Sequence, residues 1–140
     1  MTASSTSVAA LQGALAAEHA AVYGYGIVGA MLTGAKQAGA RTDWTAHQVA
    51  RDTVITMLTR LGAAPAAASP AYKLPFAVTN AESAAKLAAA LENGVTRAYL
   101  GLVAVNNPSL RAFAARAMQT SANRALAWSG TTTAFPGMPA

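Results

Sequence analysis

The sequence predicts an all-α domain, and three observations carry that prediction. Alanine is the commonest residue, 38 of 140; it is the best helix former and small enough to let helix axes approach closely. Val and Ile together number only 11, and they seldom alternate with polar residues as a half-buried strand requires. Apolar residues instead recur at steps of three and four over four segments separated by glycine and proline. The expected architecture is an up-and-down four-helix bundle with a long connection between helices 2 and 3. At 140 residues and 54% hydrophobic, the chain can bury one core and is too short for two ordinary domains, so residues 1–140 are read as a single domain.

Helix 1 is predicted over about 5–35, with Ser4, Ser5 or Thr6 available as N-cap. Its stripe runs Val8, Leu11, Leu15, Glu18, Val22, Tyr25, Gly29 and Leu32, so its single acid lies inside the apolar face. Gly34 and Gly39 bracket the exit, and Thr42 or Asp43 can cap the next helix. Helix 2 is predicted over about 43–61, stopped by Gly62 and Pro65, with Trp44, His47, Arg51, Val54, Leu58 and Leu61 along one face. Residues 62–78 carry Pro65, Pro70 and Pro75 among alanines and read as a crossover without regular structure. Helix 3, about 79–105, opens on Thr79 and Glu82 spaced as a capping box. Its stripe passes through Ala85, Ala88, Glu92, Val95, Tyr99 and Leu102. Asn107-Pro108 supplies an N-cap and an N1 proline for helix 4, about 108–129, which Gly130 ends. The tail, 130–140, has no helical period, and its Phe135 and Met138 are read as folding back onto the bundle.

Composition excludes several functions. Without cysteine there is no disulfide framework, thiolate metal site, iron–sulfur cluster or cysteine nucleophile. Lys and Arg outnumber Asp and Glu by 10 to 5, but the basic residues are scattered singly and form no nucleic-acid patch. The most apolar stretch, 20–35, is short of the roughly 20 residues a membrane span needs and contains four glycines. The first seven residues lack a basic segment of the secretory type, which leads to the expectation of a cytoplasmic protein.

Three of the five acids, Glu18, Asp52 and Glu92, fall near helix midpoints, where they could converge in one layer of an apolar core. Buried charges persist when paired, hydrogen-bonded or bound to metal. Carboxylates from facing helices build di-iron and di-manganese sites, with Glu-x-x-His on two of the helices. Here Ile55, not His, stands three residues after Asp52, and helix 4 has no Asp, Glu or His. His47 precedes Asp52 by five residues, about 140° around the helix. The alternative is a protein-only network in which Arg51, Arg97, Arg116 and Arg124 satisfy the acids, with a Glu18–Arg51 contact expected. The candidate polar core cluster is therefore Glu18, His47, Arg51, Asp52, Glu92 and Arg97. No metal is expected; iron or manganese on Glu18, Asp52 and Glu92 is the alternative.

The remaining features have plain readings beside the sharper ones. His19 points away from Glu18 and reads as a surface or interhelical histidine. His47 reads as a satisfied core histidine, a carboxylate partner or a general base. Tyr23, Tyr25 and Tyr99 read as core or interface aromatics, and Met31, Met57 and Met118 as gap fillers. The glycines of "YGYGIVGA" follow no strand and suit close helix crossing rather than phosphate binding.

The segments "ALAAEHAAVYGYGIVGA", "AHQVARDTVITML" and "AFPG" resemble an uncharacterised actinobacterial family of ferritin-like proteins, domain of unknown function 4439. The resemblance covers almost the whole chain and implies a ferritin-like four-helix bundle. The positions matching the ferritin-like ligand layer are Glu18, Asp52 and Glu92. Both Glu-x-x-His motifs are missing, a departure from the ferritin pattern that tells against iron oxidation and storage.

Three functional readings stay open: a non-catalytic structural or binding module, a metal-binding protein or oxidoreductase with a degenerate carboxylate site, and a small-ligand carrier. The surplus of small apolar residues on helices 1 and 2 (Ala9, Ala16, Val28, Met31, Val49, Ile55 and Thr59) leads to the expectation of a homodimer through those helices. Neither nucleic acid nor membrane is an expected partner, and any small-molecule ligand is unspecified.

Overall fold

Four helices, α1 (Ala3–Ala30), α2 (Gly34–Arg60), α3 (Ala81–Val103) and α4 (Pro108–Ser129), make up the computed structural model, which describes residues 3–131, 135, 136 and 138. No strand occurs among the described residues.

The first turn differs from the sequence expectation. α1 ends at Ala30 rather than 35, and α2 begins at Gly34, nine residues before Asp43. Buried Leu32 packs in the same apolar cluster as Val28 and Ala40, which pulls the link tight. Gly34 takes φ +60, a left-handed conformation that favours glycine. The Gln37 side chain then donates to the Gly29 carbonyl at 3.0 Å, tying the new helix to the end of the old one. Gly39 lies inside α2, where Ala, Lys, Gln and Arg neighbours are strong helix formers.

The start of α3 is also capped differently. Asn80, not Thr79, is the N-cap: its Oδ1 accepts from the Ser83 amide at 2.8 Å while the Ser83 hydroxyl accepts from the Asn80 amide at 3.1 Å. This is a reciprocal box built on Ser83 instead of Glu82. α4 starts and stops at the expected residues, with Asn107 accepting from the Leu110 amide and Gly130 at φ 72.

The crossover decides the topology. Gln12 clamps its first residues, donating to the Ala64 carbonyl at 2.8 Å and accepting from the Ala66 amide at 2.9 Å. The His19 Nε2–H donates to the Ala66 carbonyl at 3.0 Å, and the rings of Tyr23 and Tyr72 meet at 5.4 Å. Leu74 and Val78 pack beside Tyr25 and Val28. The chain thus climbs the length of α1 before α3 begins, so α3 runs antiparallel to α1 and parallel to α2, and α4 returns. α1 packs on α2 and α3, and α3 on α4. His19, read as a surface or interhelical residue, is buried under this crossover.

Two apolar clusters form the core. One gathers Leu11, Leu15, Val54, Leu58, Leu102 and Leu110 at one end; the other gathers Val28, Leu32, Ala40, Leu87 and Ala88 at the opposite end. Between them lies a layer of buried polar side chains. Outside, Val28 and Ile55 do not add to an apolar surface: Val28 is in the core and Ile55 is half-buried against it. Val49 is 62% exposed and Met31 41%. Phe135 and Met138 are exposed rather than folded onto the bundle. No helix among the described residues is long and apolar enough to cross a membrane.

Candidate functional site: a buried Glu–His–Glu layer

Glu18 of α1, His47 of α2 and Glu92 of α3 meet at the middle of the bundle, each 1% exposed or less. The His47 ring lies between the two carboxylates. Its Nδ1–H donates to Glu18 Oε2 at 2.6 Å and its Nε2–H to Glu92 Oε1 at 2.8 Å. Because each nitrogen faces a carboxylate oxygen, both donate, and the ring is the imidazolium. Burial alone would pull the imidazole pKa down; the hydrogen bonds and charges of Glu18 and Glu92 outweigh it and raise the value to about 9.

Two tyrosines complete the layer. Tyr25 donates to Glu92 Oε1 at 2.6 Å, and Tyr99 donates to Glu18 Oε1 at 2.8 Å. Burial first, then the negative charge of the bonded carboxylate, pushes both phenols far above their ordinary range, so they remain neutral donors. The exchange is reciprocal. Tyr25 follows Glu18 by seven residues and Tyr99 follows Glu92 by seven, two helical turns in each case. Since α1 and α3 are antiparallel, each tyrosine lands level with the other helix's acid. The Glu-x6-Tyr spacing on both stripes is the sequence signal that the reading of Tyr25 and Tyr99 as plain core aromatics missed.

The acids are not satisfied equally. Both oxygens of Glu18 accept hydrogen bonds, whereas Glu92 Oε2 is buried with no partner. The Thr96 hydroxyl engages the Glu92 backbone carbonyl, not the carboxylate.

Of the sequence candidates, Glu18, His47 and Glu92 come together and Arg51, Asp52 and Arg97 do not. Asp52 points outward, its side chain 66% exposed, and pairs with neighbouring Arg51 at 3.0 Å. The five-residue step from His47 to Asp52 lets only one of them face the core, and His47 takes that place. The expected Glu18–Arg51 contact is therefore absent, its role taken by Glu18–His47. Arg97 is exposed on α3.

A di-metal centre does not fit these residues. It requires acids or histidines from four helices, two of them as Glu-x-x-His. Here α4 offers none, and the imidazolium separates the two carboxylates. No group of three or more Asp, Glu or His side chains among the described residues is arranged to hold a metal ion.

A cavity of about 220 Å³ opens on this layer between α2 and α4. Glu18, His47 and Tyr99 form its floor, and Arg116, Thr120, Ser121 and Arg124 line it from α4. Arg124 also reaches Asp43 at 3.4 Å.

Comparison with known proteins places the chain. No curated protein matches it. It is similar to the crystal structure of a conserved hypothetical protein from Mycobacterium tuberculosis, at 37% identity and a TM-score of 0.87, covering 90% of this chain and 96% of that one. Residues 10–140 match the family described as "Domain of unknown function (DUF4439)". The chain, an all-α bundle matched over nearly its full length, belongs to that family.

Proposed function

We propose that the protein is a non-catalytic, ferritin-like helical binding module whose mid-bundle layer carries a protonated histidine where a ferritin-like protein carries metal. The observation that supports this reading most is the engagement of both His47 nitrogens by Glu18 and Glu92. A metal ion needs those oxygens at about 2 Å, and it would have to displace a ring that already supplies the compensating positive charge. The ferritin-like character is supported by the mid-helix carboxylates and by the long crossover between α2 and α3. A cytoplasmic location belongs to the same reading, to be checked by cell fractionation.

Metal analysis of protein purified without chelators tests the proposal. Substoichiometric iron and manganese, unchanged after anaerobic incubation with ferrous or manganous ion, is the expected result. Stoichiometric metal that is lost in Glu18→Gln and Glu92→Gln overturns it.

Self-association through α1 and α2 is part of the proposal. Ala9 and Ala16 on α1, Val49 on α2 and Met31 in the link between them remain exposed, a smaller apolar surface than the sequence alone suggests. Light scattering at micromolar concentration should give twice the chain mass of 14.1 kDa. A mass that stays at 14.1 kDa on concentration refutes the dimer.

A further inference from the structure

We infer that the cavity between α2 and α4 binds a small organic carboxylate with an apolar body. The inference deepens the binding-module reading and rests on it.

The walls select the charge. Arg116 and Arg124 reach the cavity from one face of α4, and Glu18 and His47 form part of its floor, with both His47 N–H groups held by Glu18 and Glu92. Glu18 is already neutralised from within, since one of its oxygens accepts from His47 and the other from Tyr99. Arg124 is shared with Asp43, but Arg116 takes part in none of the ion pairs formed by the described residues. With His47 held between Glu18 and Glu92 and Arg124 facing Asp43, Arg116 is the guanidinium of the lining left to pair with an anion. A guanidinium fork matches a carboxylate in two parallel hydrogen bonds, and the Ser121 hydroxyl stands on the same helix to share the load, whereas the Thr120 hydroxyl already donates to the Arg116 carbonyl at 2.9 Å.

The same walls select the body and size. Between the arginines and the polar floor the surface is Ala46 and Ala50 on α2 and Phe113 and Ala117 on α4. A naked inorganic anion would leave this apolar belt in contact with water, whereas a ring or short alkyl chain would cover it. A volume of about 220 Å³ is small beside the roughly 300–1,000 Å³ of ordinary ligand pockets, which suits a compact molecule. The alanines facing each other across α2 and α4 keep that space clear; larger side chains would close it.

Benzoate is the probe, with inorganic phosphate as the anion lacking an apolar body. Titration of the full chain, followed by backbone amide shifts and calorimetry, should show saturable benzoate binding, with the largest shifts at Ala46, Ala50, Thr120 and Ser121. Arg116→Gln, an exposed position whose change should leave the melting temperature unaltered, should weaken benzoate about tenfold or more. Ala117→Leu, which fills the belt, should block it. Phosphate should bind weakly or not at all.

Absence of saturable shifts at millimolar benzoate overturns the inference. So does binding indifferent to Arg116→Gln, or phosphate binding as tightly as benzoate. Metal found on Glu18, His47 and Glu92 would sink the binding-module reading by a separate measurement, leaving the response of Arg116→Gln to judge the cavity.

Discussion

Trp128, in the last turn of α4, donates its indole N–H to Asp43 Oδ2 of α2 at 2.9 Å. Asp43 also approaches Arg124 at 3.4 Å and the Tyr25 hydroxyl at 3.4 Å. This is the place where α2 and α4 are stitched across their otherwise open side. Removing the carboxylate strands a half-buried indole donor as well as a guanidinium. Asp43→Ala should destabilise the fold by about 1–3 kcal/mol, read as a lower midpoint in chemical denaturation. A midpoint unchanged from that of the parent would show that the stitch contributes nothing.

The unequal satisfaction of the two acids gives a sharper test. In Glu18→Gln an amide NH₂ must replace an oxygen that accepts from either His47 or Tyr99, setting donor against donor in a buried layer. In Glu92→Gln the NH₂ can occupy the Oε2 position, which no donor faces, while the amide oxygen keeps the bonds from His47 and Tyr25. Glu18→Gln should cost about 1–3 kcal/mol more than Glu92→Gln. Thermal melts of the two variants, measured side by side, decide the order. Asp52→Ala, an exposed change, should stay within about 0.5 kcal/mol of the parent.

His47 makes stability depend on pH on the alkaline side. Its pKa is raised on folding, from 6.5 to about 9, so the native state holds a proton that the unfolded chain releases earlier. The resulting stabilisation is fully present below about pH 6.5 and is lost as the pH climbs through about 9. Tyr25 and Tyr99 stay protonated over that window and do not offset it. Unfolding free energy should fall by on the order of 2–3 kcal/mol between pH 6.5 and 9. In His47→Gln that slope should flatten. A flat profile in the parent would mean that the ring is neutral in the native state.

Glycines on α1 should respond to alanine in opposite ways. A Cβ on Gly26 meets nothing within 4 Å, so Gly26→Ala should stabilise by about 0.5–1 kcal/mol through helix propensity. A Cβ on Gly24 would fall 2.5 Å from Leu91 Cδ1 and 2.8 Å from its Cδ2. Leu91 must swing out of its packing against α1, at a cost of about 1–3 kcal/mol that cancels or exceeds the propensity gain. Circular dichroism melts should therefore rank Gly26→Ala above the parent and Gly24→Ala at or below it.

What the sequence makes legible follows from what is local. Asn107-Pro108 and Gly130 mark α4 to the residue because capping and φ > 0 depend on those side chains alone. Pro65, Pro70 and Pro75 mark the crossover for the same reason. The α1–α2 turn is hidden because alanine, lysine and glutamine continue in helix-forming composition after it, and the burial of Leu32 together with the positive φ of Gly34 sets where the chain reverses. The buried layer is half legible. Glu18 and Glu92 stand on clear apolar stripes, whereas α2 offers His47, Arg51 and Asp52 in turn, and helical phase alone does not say which faces inward. The path of the crossover depends on Gln12 and His19, two isolated polar residues whose partners are backbone groups more than forty residues away. Nothing in their own neighbourhood announces that.

The reciprocal bonds of Tyr25 with Glu92 and Tyr99 with Glu18 also fix how far α1 can slide along α3. Leu91 of α3, seated over Gly24 of α1, favours the same alignment by packing, and the hydrogen bonds add a directional requirement to it. A slip of one turn, about 5.4 Å, would carry both tyrosines out of reach of both acids at once and leave His47 facing only one of them. The polar layer thus acts as a register key between the two apolar ends of the bundle.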